Sequence, residues 1–186
     1  MFKRCRYLYL MLDTTVIISN IKSLFKQEGF DAKTLLVKEG EVAGKLYYVE
    51  QGLARAFFNN DGKDVTFQFL QEGQFISSFE SLLNNEPSWY SLETLEPAVL
   101  YSITTEAFRQ KMGSLPHVRD FYYDYLQQRL SSYQQLFVSR IKDSPEKRYK
   151  ELLQQHPEII LRVPQHYIAS YLGITSVSLS RIRNRK

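Results

Sequence analysis

The chain has a single cysteine, Cys5, in 186 residues. One thiol excludes an internal disulfide, a zinc finger and a cysteine-bound iron–sulfur cluster within one chain. It also gives no sign of an oxidising compartment. Histidine is almost as scarce: His117, His156 and His166 are the three, and all lie in the helix-patterned C-terminal half. A cupin-type metal enzyme needs two or three histidines and a carboxylate on strands. No metal site is therefore expected. No glycine-rich phosphate loop or nucleophile–base pair stands out either, so an enzyme is not expected. No segment approaches the roughly eighteen apolar residues of a membrane span. At the N-terminus, the run Tyr7 to Leu12 is too short to span and ends at Asp13, and no small-residue cleavage site follows. Residues 1–13 read as a lead-in, and a cytoplasmic location without membrane partners is expected.

What is present is an ordinary globular composition, 44% hydrophobic and 24% charged. Three patterns follow one another. Residues 14–113 read as a β-rich unit opened by a short amphipathic helix, Thr14 to Gln27. Strand candidates are Lys33–Lys38, Leu46–Gln51, Leu53–Asn59, Lys63–Leu70, Trp89–Glu93 and Val99–Ile103. Turn signals separate them, and Asp61-Gly62 has the hairpin chemistry that tolerates positive φ. Short strands at this spacing indicate a jelly roll or barrel. A short helix, Thr104 to Met112, closes the block.

Residues 114–142 read as one long helix, Pro116 to Ile141. Tyr122, Leu126, Leu130, Tyr133, Phe137 and Ile141 form a stripe at helical spacing, and Val118, Phe121 and Tyr125 form a second strip beside its start. Two apolar strips need two neighbours: one can lie on the sheet, the other on a second copy. Val118, Tyr122, Tyr125, Leu126, Tyr133 and Phe137 are the expected dimer contacts. Asp143-Ser144-Pro145 breaks this helix, and Ser144 or Asp143 can cap the next, Pro145–Gln155.

Residues 143–186 hold the most specific signal, VPQHYIASYLGITSVSLSRIRNRK. Ile168, Leu172, Ile174, Leu179 and Ile182 sit where two crossed helices need a shared core. Ala169 is small enough for a close crossing, and Gly173 can turn the chain at positive φ. Thr175 can cap the second helix. From Arg140 onward there are ten Lys and Arg against four Asp and Glu, while the preceding residues hold fourteen against sixteen. A basic tail on a near-neutral body suits phosphate contact. Gln165, His166, Thr175, Ser176, Val177, Ser178, Arg181 and Arg185 are the expected DNA-contacting residues, with Arg181 reading bases and Arg185 touching phosphate. The rival reading is a helical hairpin that binds no nucleic acid.

The order β-roll, long helix, helix-turn-helix resembles the cyclic-AMP receptor protein and fumarate–nitrate regulator family of bacterial transcription factors. The resemblance covers about residues 24–186. It is carried by Leu46-Tyr47-Tyr48-Val49-Glu50-Gln51-Gly52, Asp61-Gly62-Lys63-Asp64, Gly73-Gln74-Phe75-Ile76, Leu92-Glu93-Thr94-Leu95-Glu96 and the run from Ile168 to Arg183. With Arg148 to Leu153 and His156-Pro157, that run looks like a branch common in Bacteroidetes. The resemblance implies an α+β fold with an N-terminal double-stranded β-helix (jelly roll). It implies a homodimer joined by the long helix, double-stranded DNA as partner, RNA polymerase as a further partner, and a small effector in the roll. Phe75, Ser77, Ser78, Glu80, Tyr90 and Ser91 are the expected effector pocket.

Two departures qualify that picture. Where nucleotide-binding members carry Gly-Glu and then Arg-Ser or Arg-Thr, this chain has Ile76-Ser77-Ser78-Phe79-Glu80 and Tyr90-Ser91. Without the arginine no cation neutralises a cyclic phosphate there, so classical cyclic AMP is not the expected effector, and none is identified in its place. Arg55 and Lys45 are the first substitutes to test. Ser176-Val177 stands where members reading the well-known operator have Arg-Glu, and the chain stops at Lys186 without the family's β-wing. These points keep open a ligand-binding sensor dimer that no longer binds DNA.

Overall fold

The computed structural model describes residues 22–184. The lead-in, most of the expected Thr14–Gln27 helix, and Arg185 lie outside them. Two four-stranded sheets form the roll, ordered β1-β8-β3-β6 and β2-β7-β4-β5, and every pairing is antiparallel. The strands are β1 Lys26–Phe30, β2 Leu35–Val37, β3 Lys45–Gln51, β4 Ala54–Asn60, β5 Lys63–Leu70, β6 Phe75–Ile76, β7 Ser91–Thr94 and β8 Ala98–Thr104. Six match the expected strands to within a few residues. Two do not: β6 is only two residues long, and β1 begins at Lys26-Gln27, where the spacing predicts the end of a helix. Strand β1 is an edge strand pairing only with β8, and an edge can carry the lysine, glutamate and glycine of KQEGF without burying them.

The alternation of β3 shows how the layers arise. Tyr47 and Val49 point between the sheets, with Ala54, Ala56, Leu70, Ile76, Leu92 and Leu100. Leu46 and Tyr48 point outward, yet they too are buried, under helices. Both faces of this strand are therefore apolar, as in any sheet covered on two sides. The hairpin between β4 and β5 turns at Asp61 and Gly62, both at positive φ, which matches the strand twist.

Helix α1, Phe79–Asn84, lies between β6 and β7, and α2, Thr105–Ser114, is capped by the Thr104 side chain accepting from the Ala107 N–H. Helix α3, Pro116–Lys142, has proline in its first turn, where no N–H is missed. Its first half packs Val118 and Tyr122 onto Leu46, Phe75 and Phe108. Asp143 ends it. Ser144 then caps α4, Pro145–Gln155, by accepting from Lys147 N–H at 3.3 Å. Helices α5, Pro157–Arg162, α6, Gln165–Leu172, and α7, Ser176–Asn184, follow.

These C-terminal helices are not a free appendage. Leu53 and Phe69 of the roll share one core with Tyr149, Leu152, Ile168, Leu172 and Leu179. The Thr66 N–H donates to Ser170 Oγ at 2.9 Å. Arg162 forks to Glu72 and Glu96.

Candidate nucleic-acid interface and sensor site

The α6–α7 pair is built from local chemistry. Gly173 sits at φ +68, the left-handed region open to a residue without Cβ. Its N–H reaches Ser170 O at 2.9 Å, and Ile174 N–H reaches Ala169 O at 3.0 Å. That pairing satisfies the last carbonyls of α6 and aims the chain into the turn. Thr175 Oγ1 then accepts from Ser178 N–H at 3.1 Å and lies 3.0 Å from Ser178 Oγ. Leu179 is fully buried and Ala169 nearly so, as the close crossing requires.

With Leu179 held inward, Ser176, Val177, Ser180, Arg181, Arg183 and Asn184 are left exposed on α7. Gln165 and His166 are exposed at the start of α6. Ser178 is half-buried, because its hydroxyl turns back to Thr175. Ser180, Arg183 and Asn184 are exposed there without standing among the expected contacts; the offsets of Ser180 and Asn184 from Leu179 carry that signal, whereas Arg183, four residues on, lies on Leu179's side of the helix by spacing alone. Arg181 makes no ion pair among the described residues, so its guanidinium is available.

The expected effector pocket is rearranged. Phe75 faces out of the roll, against Phe25, Tyr48, Phe121 and Tyr125, because its neighbour Ile76 takes the inward position. The Tyr125 hydroxyl clasps the Phe75 backbone, donating to O at 2.8 Å and accepting from N–H at 3.1 Å. Ser91 Oγ accepts from Glu39 N–H at 3.0 Å. Glu80 occupies the first turn of α1 and is half-buried. Ser77, Ser78 and Tyr90 do come together: the Tyr90 hydroxyl donates to Ser77 O at 3.1 Å, and its ring meets Phe67 edge-on. Burial pushes the Tyr90 phenol up to about 12, so it stays neutral.

Neither substitute cation is free. Arg55 is 2% exposed and bonds Glu93 at 2.7 Å, Asp64 at 2.8 Å and Thr66 at 3.1 Å, with Phe57 and Tyr167 against its guanidinium. Lys45 pairs with Glu28 at 2.8 Å. The cation that does approach the Tyr90 side is Arg129 of α3, bonded to the Tyr133 hydroxyl at 2.6 Å. Tyr133 donates onward to Gln68 at 2.8 Å. This trio spans 65 residues of sequence, and no local pattern announces it.

The expected dimer contacts divide. Val118 and Tyr122 are buried inside the chain's own core, Tyr125 is half-buried at Phe75, and Tyr133 is spent on Gln68 and Arg129. Leu126 is half-buried at the same seam. Of the six, Phe137 alone is largely exposed, at 65%. Tyr123, Leu130, Val138 and Ile141 are exposed with it, so the uncovered apolar face lies beside the covered one rather than on it.

Residues 27–114 match the family model of the cyclic nucleotide-binding domain. That domain is the roll with α1 and α2, and its Ser77–Ser78 and Tyr90 loops are the places described above. Solved structures extend the likeness beyond it. The c-di-GMP responsive global regulator CLP of Xanthomonas campestris is 19% identical with a TM-score of 0.72, over 90% of this chain and 89% of that one. FixK2 from Bradyrhizobium japonicum is 16% identical with a TM-score of 0.75, over 86% and 82%. The catabolite activator protein of Thermus thermophilus is 20% identical with a TM-score of 0.55, over 90% and 80%. At such identities the likeness establishes the fold: a cyclic nucleotide-binding-type β-sandwich followed by C-terminal helices. No curated protein sequence matches the chain. Among the described residues, no helix is long and apolar enough to cross a membrane. Nor does any group of three or more His, Cys, Asp or Glu stand where it could hold a metal ion.

Proposed function

We propose that the protein is a homodimeric, non-enzymatic transcription regulator of the cyclic-AMP receptor and fumarate–nitrate regulator type. Helices α6 and α7 act as its helix-turn-helix, and α7 enters the major groove. The observation that carries this is the free, exposed Arg181 on a helix whose entry is set by Gly173 and Thr175 and whose inner face is locked by Leu179. An arginine so placed can pair bidentately with guanine. Gln165 and His166, at the first helix's start, lie on the side that meets phosphate.

In this reading the dimer seam is the exposed strip Tyr123, Leu130, Phe137, Val138 and Ile141, and RNA polymerase is a further partner. The effector is not classical cyclic AMP, since Tyr90 replaces the family's arginine and Arg55 is fully committed. A fold-mate responsive to c-di-GMP, the Xanthomonas regulator, supports signals other than cyclic AMP on this architecture.

A gel-shift series with the protein's own promoter region, run across salt, tests the proposal. Arg181→Ala should lower specific affinity by about 1–3 kcal/mol while random DNA binds nearly as before. The exposed, uncharged Ser176 and Val177, with Val177 at 62% exposure, favour a second reading, a sensor dimer that does not bind DNA. Arg181→Ala without effect on specific or random DNA would select it.

A further inference from the structure

A cleft of about 670 Å³ lies between the roll's Gln71–Gln74 turn, the second half of α3 and the helices α4 and α6. That volume suits a small organic ligand. Its charge is one-sided. Arg129, Arg140 and Arg148 border it against a single carboxylate, Glu151, which lies 3.7 Å from Lys147. Among the described residues, none of the three arginines forms an ion pair.

Their hydrogen bonds orient these cations without neutralising them. Arg148 donates to Asp143 O at 2.6 Å and Leu172 O at 2.7 Å, and its Nε is buried with no partner. Arg129 Nε is buried and unpartnered as well. Arg140 rests on the Tyr171 ring at 4.8 Å. Burial, with a smaller contribution from the neighbouring Arg148 charge, holds Arg140 below the usual arginine range. Gathering positive groups in a partly desolvated cleft is costly unless an anion joins them.

We infer that this cleft is a binding site for a small organic oxyanion, carrying phosphate or carboxylate groups, seated between Arg140 and Arg148. It is separate from the roll interior around Ser77 and Tyr90. Three structural units supply its walls, so an occupant ties the DNA-binding helices to the sensor roll. The binding stands on the cleft alone; its effect on DNA affinity rests on the regulator reading, through linkage between the two sites.

Calorimetry on the full chain at low salt tests this, with inorganic pyrophosphate and citrate as the phosphate and carboxylate probes. The expected result is binding of at least one probe, with the stronger arm naming the anionic group. Arg140→Gln should weaken it about tenfold or more, the loss of one charge-assisted contact. Outside its own helix the Arg140 side chain meets the Tyr171 ring, a contact weak enough that this variant should move the unfolding midpoint only slightly. Arg181→Ala should leave probe affinity unchanged. Three results would overturn the inference: no binding of either probe at about 1 mM, equal affinity in Arg140→Gln, or loss of binding in Arg181→Ala, which would place the anion on the DNA-facing helix. Failure of the gel-shift alone would leave this result standing and remove only its regulatory meaning.

Discussion

Arg55 offers the sharpest quantitative test of what holds the roll itself together. Its side chain is 2% exposed, and Glu93, its partner at 2.7 Å, is 12% exposed. Asp64, the other acid, is 43% exposed, so its share is screened and small. Replacing Arg55 with methionine keeps most of the apolar stem but strands Glu93 as a buried carboxylate. Breaking a buried pair in this way costs about 3–5 kcal/mol. Methionine still packs on Phe57 and Tyr167, which recovers part of the lost stacking, so a net loss of about 3–4 kcal/mol is expected. Arg55→Lys keeps the charge but not the fork that reaches Glu93, Asp64 and Thr66 together. It should cost less, about 1–2 kcal/mol. Adding Glu93→Gln to Arg55→Met removes the stranded charge and should recover about 2 kcal/mol. Urea unfolding, with the slope unchanged between variants, reads all four. A loss below about 1 kcal/mol for Arg55→Met, or no recovery in the double variant, would refute the argument that the buried charge pair dominates here.

Three further outcomes follow from particular contacts. The Arg162 fork holds Glu72 at about 2, well below the ordinary 4.5. A depressed carboxylate stabilises the fold above its unfolded value, and that contribution is lost as pH falls from about 4.5 towards 2. The pair is partly exposed, so the step is under about 1 kcal/mol; thermal unfolding of Glu72→Gln and wild type should differ near neutrality and converge only as pH falls to about 2. Gly173→Ala places a Cβ where nothing lies within 4 Å but where φ is +68, so only backbone strain of about 1 kcal/mol is expected, visible as a lower melting temperature; an unchanged melt would show that the turn does not need glycine. Sedimentation at micromolar concentration should show twice the chain mass for wild type, and Phe137→Glu or Leu130→Glu should shift it to monomer; a clean wild-type monomer would remove the palindromic-operator model.

Much of the candidate DNA-binding unit was legible in the residues because its determinants are close together in the chain. Gly173 and Thr175 act through hydrogen bonds spanning five residues or fewer, and sequence spacing encodes those directly. The same holds for the Asp61-Gly62 hairpin, the Thr104 and Ser144 caps and the Pro116 start of α3. The two apolar strips of α3 were also visible, but not their use. Periodicity says that Tyr122 and Phe137 are both apolar; only the position of the roll decides that Tyr122 is buried and Phe137 is not. Strand β1 escaped because an edge strand does not have to be apolar.

What the sequence determined by itself, then, was the set of local elements and the charge asymmetry between body and tail, since each depends on neighbours a few residues away. The tertiary structure decided everything that depends on distant partners. Arg162 reaches Glu72 across 90 residues, Ser170 reaches Thr66 across 104, and Arg55 commits to Glu93 and Asp64 the charge that a phosphate would need. The same folding leaves Arg140 and Arg148 facing one cleft without an ion pair among the described residues. A charged side chain's role is set by whichever opposite charge the fold brings within about 4 Å, and along an unfolded chain that partner is not yet defined.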